Sequence, residues 1–229
     1  MLKDVVSKYF EDEIKEDYDL VKNYKNRRVI FKEKININGE EVVCYIKKYI
    51  PYRKPKKLII LGLRDDPCTH YKKIAKSLER ININVVKDVI TLEKRETFFH
   101  RKYIVVTPYA GESLVKYVKE FKKFKKYFIK FFDYFILMCK NKIYCTDYNL
   151  GGFLISGEDI SIIDLDAYKV NKKISKRLKL KMFESLEKNY LLGNSEEEFI
   201  QFFKEQLERV KKELGWEEIE TGDLNLYKY

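Results

Sequence analysis

The stretch whose reading decides the fold is Ile143-Tyr144-Cys145-Thr146-Asp147-Tyr148-Asn149-Leu150-Gly151-Gly152-Phe153-Leu154-Ile155, continued by Ser156-Gly157-Glu158-Asp159-Ile160-Ser161-Ile162-Ile163-Asp164-Leu165-Asp166-Ala167. Two short apolar runs, Phe153 to Ile155 and Ile160 to Ile163, flank a turn-rich Ser-Gly-Glu-Asp segment, which predicts a β-hairpin. Asp147 lies in the loop that feeds the first strand, and Asp164 ends the second. A hairpin brings its ends together, so carboxylates 17 residues apart converge at one mouth. Beside a loop that lacks bulk at Gly151 and Gly152, such carboxylates are suited to hold a metal and a phosphate.

Upstream of this stretch, Phe121 to Cys139 reads as a helix with Phe121, Phe124, Phe128, Phe131, Phe135 and Met138 at helical spacing. That stripe is a core face rather than a base-stacking platform, which would use a few exposed rings on a sheet or groove. Before it, Tyr103 to Pro108 is a strand that runs through Gly111 toward a helix starting near Ser113-Leu114, and Val85 to Leu92 is its predicted neighbour. Thr69 suits the N-cap of a helix over 70–81, with Tyr71, Ile74, Ala75 and Leu78 on its buried face. Residues 51–68 read as a basic, Pro-punctuated connection around Leu58 to Leu61.

The N-terminal third predicts antiparallel strands. Asp19 to Lys22 and Arg28 to Phe31 form a pair, and Ile35 to Ile37 joins Glu41 to Ile50 through Asn38-Gly39, a type I′ turn signal. Lys47 and Lys48 fall on opposite faces of the last strand, so only one of them can serve any one site. Val5, Val6, Tyr9, Phe10 and Ile14 give residues 1–17 a helical stripe. Downstream of the hairpin, residues 174–192 look helical, and Ser195 with Glu198 forms a capping box for a helix over 195–214 that Gly215 closes.

A chain of 229 residues with 45% apolar content can bury one substantial core or two small lobes. No apolar run reaches the roughly 20 residues that span a bilayer, and Met1-Leu2-Lys3-Asp4 lacks the apolar core of a signal peptide, so a cytoplasmic location is expected. Cys44, Cys68, Cys139 and Cys145 show neither zinc nor disulfide spacing and read as buried small apolar residues. His70 and His100 are far apart, which argues against histidine-based chemistry. The net charge of +11 implies anionic partners: nucleic acid, a membrane surface or phosphorylated substrates. Nucleic acid is the weakest of these, because the lysines are spread through the elements and no RNA-binding or zinc-finger signature accompanies them.

The opening stretch resembles the catalytic loop and metal-binding strand of protein-kinase-like phosphotransferases. Within that superfamily it most resembles the lipopolysaccharide core heptose kinases, whose version runs G-D-x-x-x-x-N-F-[IL]-[IV] and then I-I-D-[LF]. Asp147 matches the catalytic base, Phe153-Leu154-Ile155 the following strand, and Ile162-Ile163-Asp164-Leu165 the metal strand. One position departs: the Asn expected five residues after the base is Gly152, while an Asn stands at 149. Val43 to Tyr49 resembles the third strand of the kinase N-lobe, and Tyr103 to Leu114 its hinge. Lys72-Lys73 stand mid-helix where the family places a bracing Glu, with Glu79 near the end, and the first turn carries Lys25, Arg27 and Arg28 but no glycine.

The resemblance implies an α+β, two-lobed fold in a single domain, with an antiparallel N-lobe over about 1–107 and a mainly helical C-lobe over about 108–229. It implies ATP and Mg²⁺ as cofactors, with Asp147 as base, Asp164, Asn149 and Asp166 as the metal set, Lys47 on the phosphates, and the hinge at Val106 and Pro108 on adenine. The acceptor it implies is a heptose of the lipopolysaccharide inner core, at the inner face of the inner membrane, where the basic surface suits an anionic bilayer. Two alternatives stay open: a kinase of another small acceptor, such as a different sugar or an aminoglycoside-like molecule, and a catalytically inactive kinase-like binding protein.

Overall fold

The alternating pattern of residues 19–49 forms β1 (Asp19–Tyr24), β2 (Arg28–Ile37) and β3 (Glu40–Tyr49), paired antiparallel. The computed structural model describes residues 6–11, 19–24, 28–37, 39–50, 53–97, 100–170, 174–189 and 197–219. β2 is one strand where two short ones were expected, because Lys32, Glu33 and Lys34 ladder with Tyr45, Cys44 and Val43. Gly39 takes the positive φ of +93° that the turn requires, and its N–H donates to Asn36 Oδ1 at 2.9 Å. Asn38, Lys25 and Arg27 lie outside the described residues. β4 (Ile90–Arg95) and β5 (Arg101–Pro108) complete a five-stranded antiparallel sheet in the order β1-β2-β3-β5-β4.

One face of this sheet is covered by the chain's own start. Val6, Tyr9 and Phe10 pack against Val29, Phe31, Ile35, Cys44, Ile46, Ile104 and Val106. Two lysines are buried there as well: Lys48 donates to the carbonyl of Glu11, and Lys102 donates to that of Phe10 at 3.0 Å and pairs with Glu96 at 2.7 Å. These carbonyls sit at the end of the short 3-10 helix Lys8–Phe10. The alternation between Lys47 and Lys48 is thereby resolved, since Lys48 belongs to the buried face and Lys47 to the other.

The connection expected over 51–68 holds a helix, α1 (Arg53–Ile60). α2 runs over Pro67–Glu79 rather than 70–81, and its cap is Asp66, not Thr69. Asp66 Oδ1 accepts from the N–H groups of Cys68 at 2.8 Å and Thr69 at 3.0 Å, and Pro67 fills the first helical position, where its missing N–H costs nothing. The strand expected over 85–92 begins only at Ile90, because Val85 makes a single parallel bridge to Ile162 instead.

The chain divides into two compact units, Met1–Lys73 with Val86–Tyr109 and Ile74–Val85 with Ala110–Tyr229. The second contains β6 (Glu112–Ser113), α3 (Phe121–Lys140), β7 (Ile143–Cys145), β8 (Phe153–Ser156), β9 (Asp159–Ile162), β10 (Tyr168–Val170), α4 (Lys176–Glu187) and α5 (Glu197–Leu214). The phenylalanine stripe of α3 is core. Phe121 and Phe128 meet Phe199 of α5 edge-on at 5.4 and 5.7 Å, Phe132 meets Phe203 at 4.8 Å, and of the stripe only Phe124 is half-buried. Gly215 at φ +59° lets Trp216 N–H reach back to Lys211 O at 2.9 Å and closes α5. α4 is shorter than the 174–192 expected and is capped by Ser175, while Ser195 lies outside the described residues.

The fold is therefore α+β, with an antiparallel-sheet unit and a mainly helical unit. Among the described residues no helix is long and apolar enough to cross a membrane.

Candidate active site in the helical unit

The predicted hairpin forms as β8 and β9, with Phe153 opposite Ile162 and Ser156 opposite Asp159 across a turn in which Gly157 takes φ +61°. β6 adds to its other edge, pairing Glu112 with Ile155 and Ser113 with Leu154. Gly111 makes that approach possible. It sits at φ +124°, and a Cβ there would lie 1.9 Å from Ile155 O, inside the neighbouring backbone.

The two carboxylates are brought to one end by a second pair of strands. β7 and β10 run antiparallel with Cys145 opposite Tyr168. Asp147 follows Cys145 by two residues and Asp164 precedes Tyr168 by four, so both lie beyond the same end of this ribbon. The electrostatics agree. Burial pushes the Cys145 thiol up to about 12, and the carboxylates of Asp147 and Asp164 both push it the same way. Asp147 and Asp164 are themselves exposed.

The main chain around Asp147 is tightly held while its side chain is not buried. Tyr148, fully buried, donates its hydroxyl to Phe131 O at 2.7 Å, and its N–H donates to Ser185 Oγ at 2.6 Å. Asn189, 1% exposed, grips the loop on both sides of residue 149: its Oδ1 accepts from Leu150 N–H at 2.7 Å and its Nδ2 donates to Tyr148 O at 2.9 Å. The same Nδ2 reaches Ser185 O at 3.1 Å and Leu186 O at 2.9 Å, carbonyls at the end of α4. Asn189 and Ser185 were not singled out in the sequence. Their signal is faint, two polar residues four apart flanking the buried Leu186 of an amphipathic helix.

Asn149 is joined to the candidate base. Its Nδ2 donates to Asp147 O at 3.0 Å and to Asp147 Oδ1 at 3.1 Å. Its Oδ1 lies 3.0 Å from where a Cβ on Gly151 would stand, so that glycine leaves the room Asn149 uses. Gly152 is different: its N–H donates to Asn149 O at 3.0 Å, its carbonyl accepts from Ile163 N–H at 2.9 Å, and a Cβ there would meet nothing nearer than Ile163 O at 4.0 Å.

Asp164 adopts the left-handed conformation, φ 54° and ψ 65°, and precedes a short 3-10 helix, Leu165–Ala167, with Asp166 in its turn. A non-glycine residue held there carries strain of about 1–2 kcal/mol, of the kind found at functional sites. Asp164 and Asp166 carry carboxylate oxygens and Asn149 an amide oxygen, the hard donor type that Mg²⁺ takes alongside substrate phosphates. Among the described residues no group of three or more His, Cys, Asp or Glu side chains forms a dedicated metal cage.

The remaining predicted residues belong to the sheet unit. Lys47 is half-exposed on β3, its ammonium 5.3 Å from the Tyr49 ring centroid. Val106 pairs with Ile46 and Ile90 on either side, and its side chain is in the core. Pro108 ends β5 and can only accept through its carbonyl, and the N–H of the next residue, Tyr109, donates to Val43 O at 2.8 Å.

No family model matches the chain. No curated protein matches it. Among solved structures, WaaP in complex with acyl carrier protein is similar to it at a TM-score of 0.47 and 9% sequence identity, over 84% of this chain and 88% of that chain.

Proposed function

We propose that the chain is an ATP-dependent phosphotransferase acting on an alcohol group, with a sugar as acceptor and a heptose of the lipopolysaccharide inner core as the specific acceptor. The observation that carries this reading is the juxtaposition of Asp147 and Asp164 beyond one end of the β7–β10 ribbon, with the backbone between them and α4 fixed by Asn189. The acceptor class rests on the resemblance of residues 143–167 to the heptose kinases. In this reading the two units are the N-lobe and C-lobe of one kinase-like domain.

The roles follow from the side chains. Asp147, held by Asn149, orients the acceptor hydroxyl and takes its proton as the oxygen bonds to the γ-phosphorus and ADP departs. Asp164, with Asp166 and Asn149 Oδ1 as further donors, would hold Mg²⁺, which when bound offsets the charge of the phosphates. The resemblance gives Lys47 of β3 to the phosphates and Val106 and Pro108 to adenine, although Val106 already ladders with Ile46 and Ile90.

Gly152 favours the second reading, a kinase-like protein that binds nucleotide without turnover, because it removes one of the usual metal donors. A thermal-shift titration with ATP and Mg²⁺ separates these from an unrelated fold-alike. Binding at a hundredfold excess over Kd stabilises by about 2.7 kcal/mol, a shift of roughly 5–10 °C for a chain of this length. No response sinks both readings. A response without ADP release in the presence of core oligosaccharide removes the heptose acceptor and leaves a kinase of another small acceptor or the binding protein. Mass spectrometry of the core from cells with and without the gene then tests the acceptor through loss of one phosphate.

A further inference from the structure

Residues 53–64 read Arg-Lys-Pro-Lys-Lys-Leu-Ile-Ile-Leu-Gly-Leu-Arg, five cations and five large aliphatic residues with no acid among them. Arg53–Ile60 forms α1, and none of the described side chains from Lys57 to Arg64 is buried. Leu61 is 68% exposed and Leu63 73% exposed, the highest values among the large apolar residues described. This exposure is built in by the backbone. Gly62 at φ +67° closes α1 with paired bonds, Leu63 N–H to Leu58 O at 2.9 Å and Gly62 N–H to Ile59 O at 3.0 Å. That double cap fixes the direction of Leu61 and Leu63 rather than leaving them on a loose loop. The acids that follow are already engaged: Asp65 pairs with Lys73 at 2.9 Å on the surface, and Asp66 caps α2.

We infer that the end of α1 is a docking surface for an anionic lipid bilayer, with Leu61 and Leu63 entering the interface while Lys57 and Arg64 meet the headgroups. Leucines this exposed belong to a projecting tip, which a bilayer accepts and which does not line a groove for a peptide. The charged residues from 53 to 64 are all positive, and the nearest acids, Asp65 and Asp66, are paired with Lys73 and the α2 N–H groups, which suits an anionic surface. The contact is peripheral, because no described helix is long and apolar enough to cross the bilayer. It stands whether or not the chain transfers phosphate, since it uses none of the residues assigned to that reaction.

The test is sedimentation of the full chain, without nucleotide, with phosphatidylcholine vesicles and with vesicles in which about a third of the lipid is phosphatidylglycerol. The native chain is expected to bind only the anionic vesicles, and less at high salt. Leu61→Ser with Leu63→Ser is expected to weaken that binding about a hundredfold, roughly tenfold for each leucine transferred from its present exposure. The thermal transition of the variant should be unchanged, because both side chains already face water. Failure of the native chain to bind overturns the inference. So does binding by the double variant equal to that of the native chain. Retained ATP response with lost vesicle binding keeps the two proposals separate.

Discussion

Replacing Asn189 by Ala removes four hydrogen bonds from one buried side chain. Two of them hold the loop, to Leu150 N–H at 2.7 Å and Tyr148 O at 2.9 Å, and both of those residues are fully buried, so water cannot take over. An orphaned buried polar group costs about 1–3 kcal/mol, which gives roughly 2–6 kcal/mol for the pair. The two α4 carbonyls add less, because helix-end carbonyls have other routes to a donor. Trp216 is the chain's only tryptophan, 4% exposed and edge-on to Phe135 at 6.2 Å, so denaturant unfolding followed by its fluorescence reports on the same unit. A loss below about 1 kcal/mol would refute the brace. Asn189→Asp sharpens the test. It keeps the acceptor for Leu150 N–H but turns a second oxygen toward the carbonyls of Tyr148, Ser185 and Leu186. The neutral acid is favoured there, so the folded pKa lies above the unfolded value of about 3.9. Stability is then fullest below the unfolded pKa and falls as pH rises through the folded one. An Asp variant whose stability is flat from pH 3 to 7, or rises over that range, contradicts the geometry.

Three further outcomes are expected. Gly111→Ala drives a methyl group to 1.9 Å from Ile155 O at φ +124° and should cost more than about 3 kcal/mol or abolish folding, whereas Gly157→Ala, with nothing within 4 Å, should cost no more than about 1–2 kcal/mol. Equal melting shifts for the two would show that β6 does not need its close approach to β8. Gly152→Asn, at ordinary φ with its nearest neighbour at 4.0 Å, should fold with a stability change within about 1 kcal/mol and raise Mg²⁺-dependent turnover, and denaturation with coupled ADP detection reads both. All four thiols are buried and Cys145 and Cys68 are pushed up to about 12, so Ellman's reagent at pH 8 should release no colour on the minute scale until denaturant is added; a fast native thiol would contradict their placement.

What the sequence made legible was local. The Gly157 turn, the positive φ of Gly39 and the phenylalanine periodicity of α3 depend on neighbours within a few residues, and they appear where they were read. Pro55 and a run of cations hid α1, because both read as breakers of an apolar pattern. Asp66-Pro67 is a helix start, but Thr69 offered a competing cap one turn later and its hydroxyl in fact donates to Asp66 at 2.6 Å. The brace at Asn189 joins positions 39 and 41 residues apart, and the choice between Lys47 and Lys48 is made by a carbonyl 37 residues away. No local pattern carries such information.

The residues of the site divide by what they do for the fold. Along Cys145-Thr146-Asp147-Tyr148-Asn149-Leu150 the buried positions are Cys145, Tyr148 and Leu150, and each is tied into the surrounding structure through packing or a hydrogen bond to another element. Asp147 faces water, and the bond it receives comes from Asn149 two residues on, so its carboxylate adds little to folding that a neutral side chain would not. Asp164 sits in the left-handed region, which costs most residues energy and which Asp and Asn tolerate best after glycine. Gly152 fits the same division. Its N–H and carbonyl splice the loop at Asn149 to the strand end at Ile163, and that role needs only backbone. A side chain could stand there without displacing an atom, so the difference from the kinase pattern at this position lies in chemistry and not in shape.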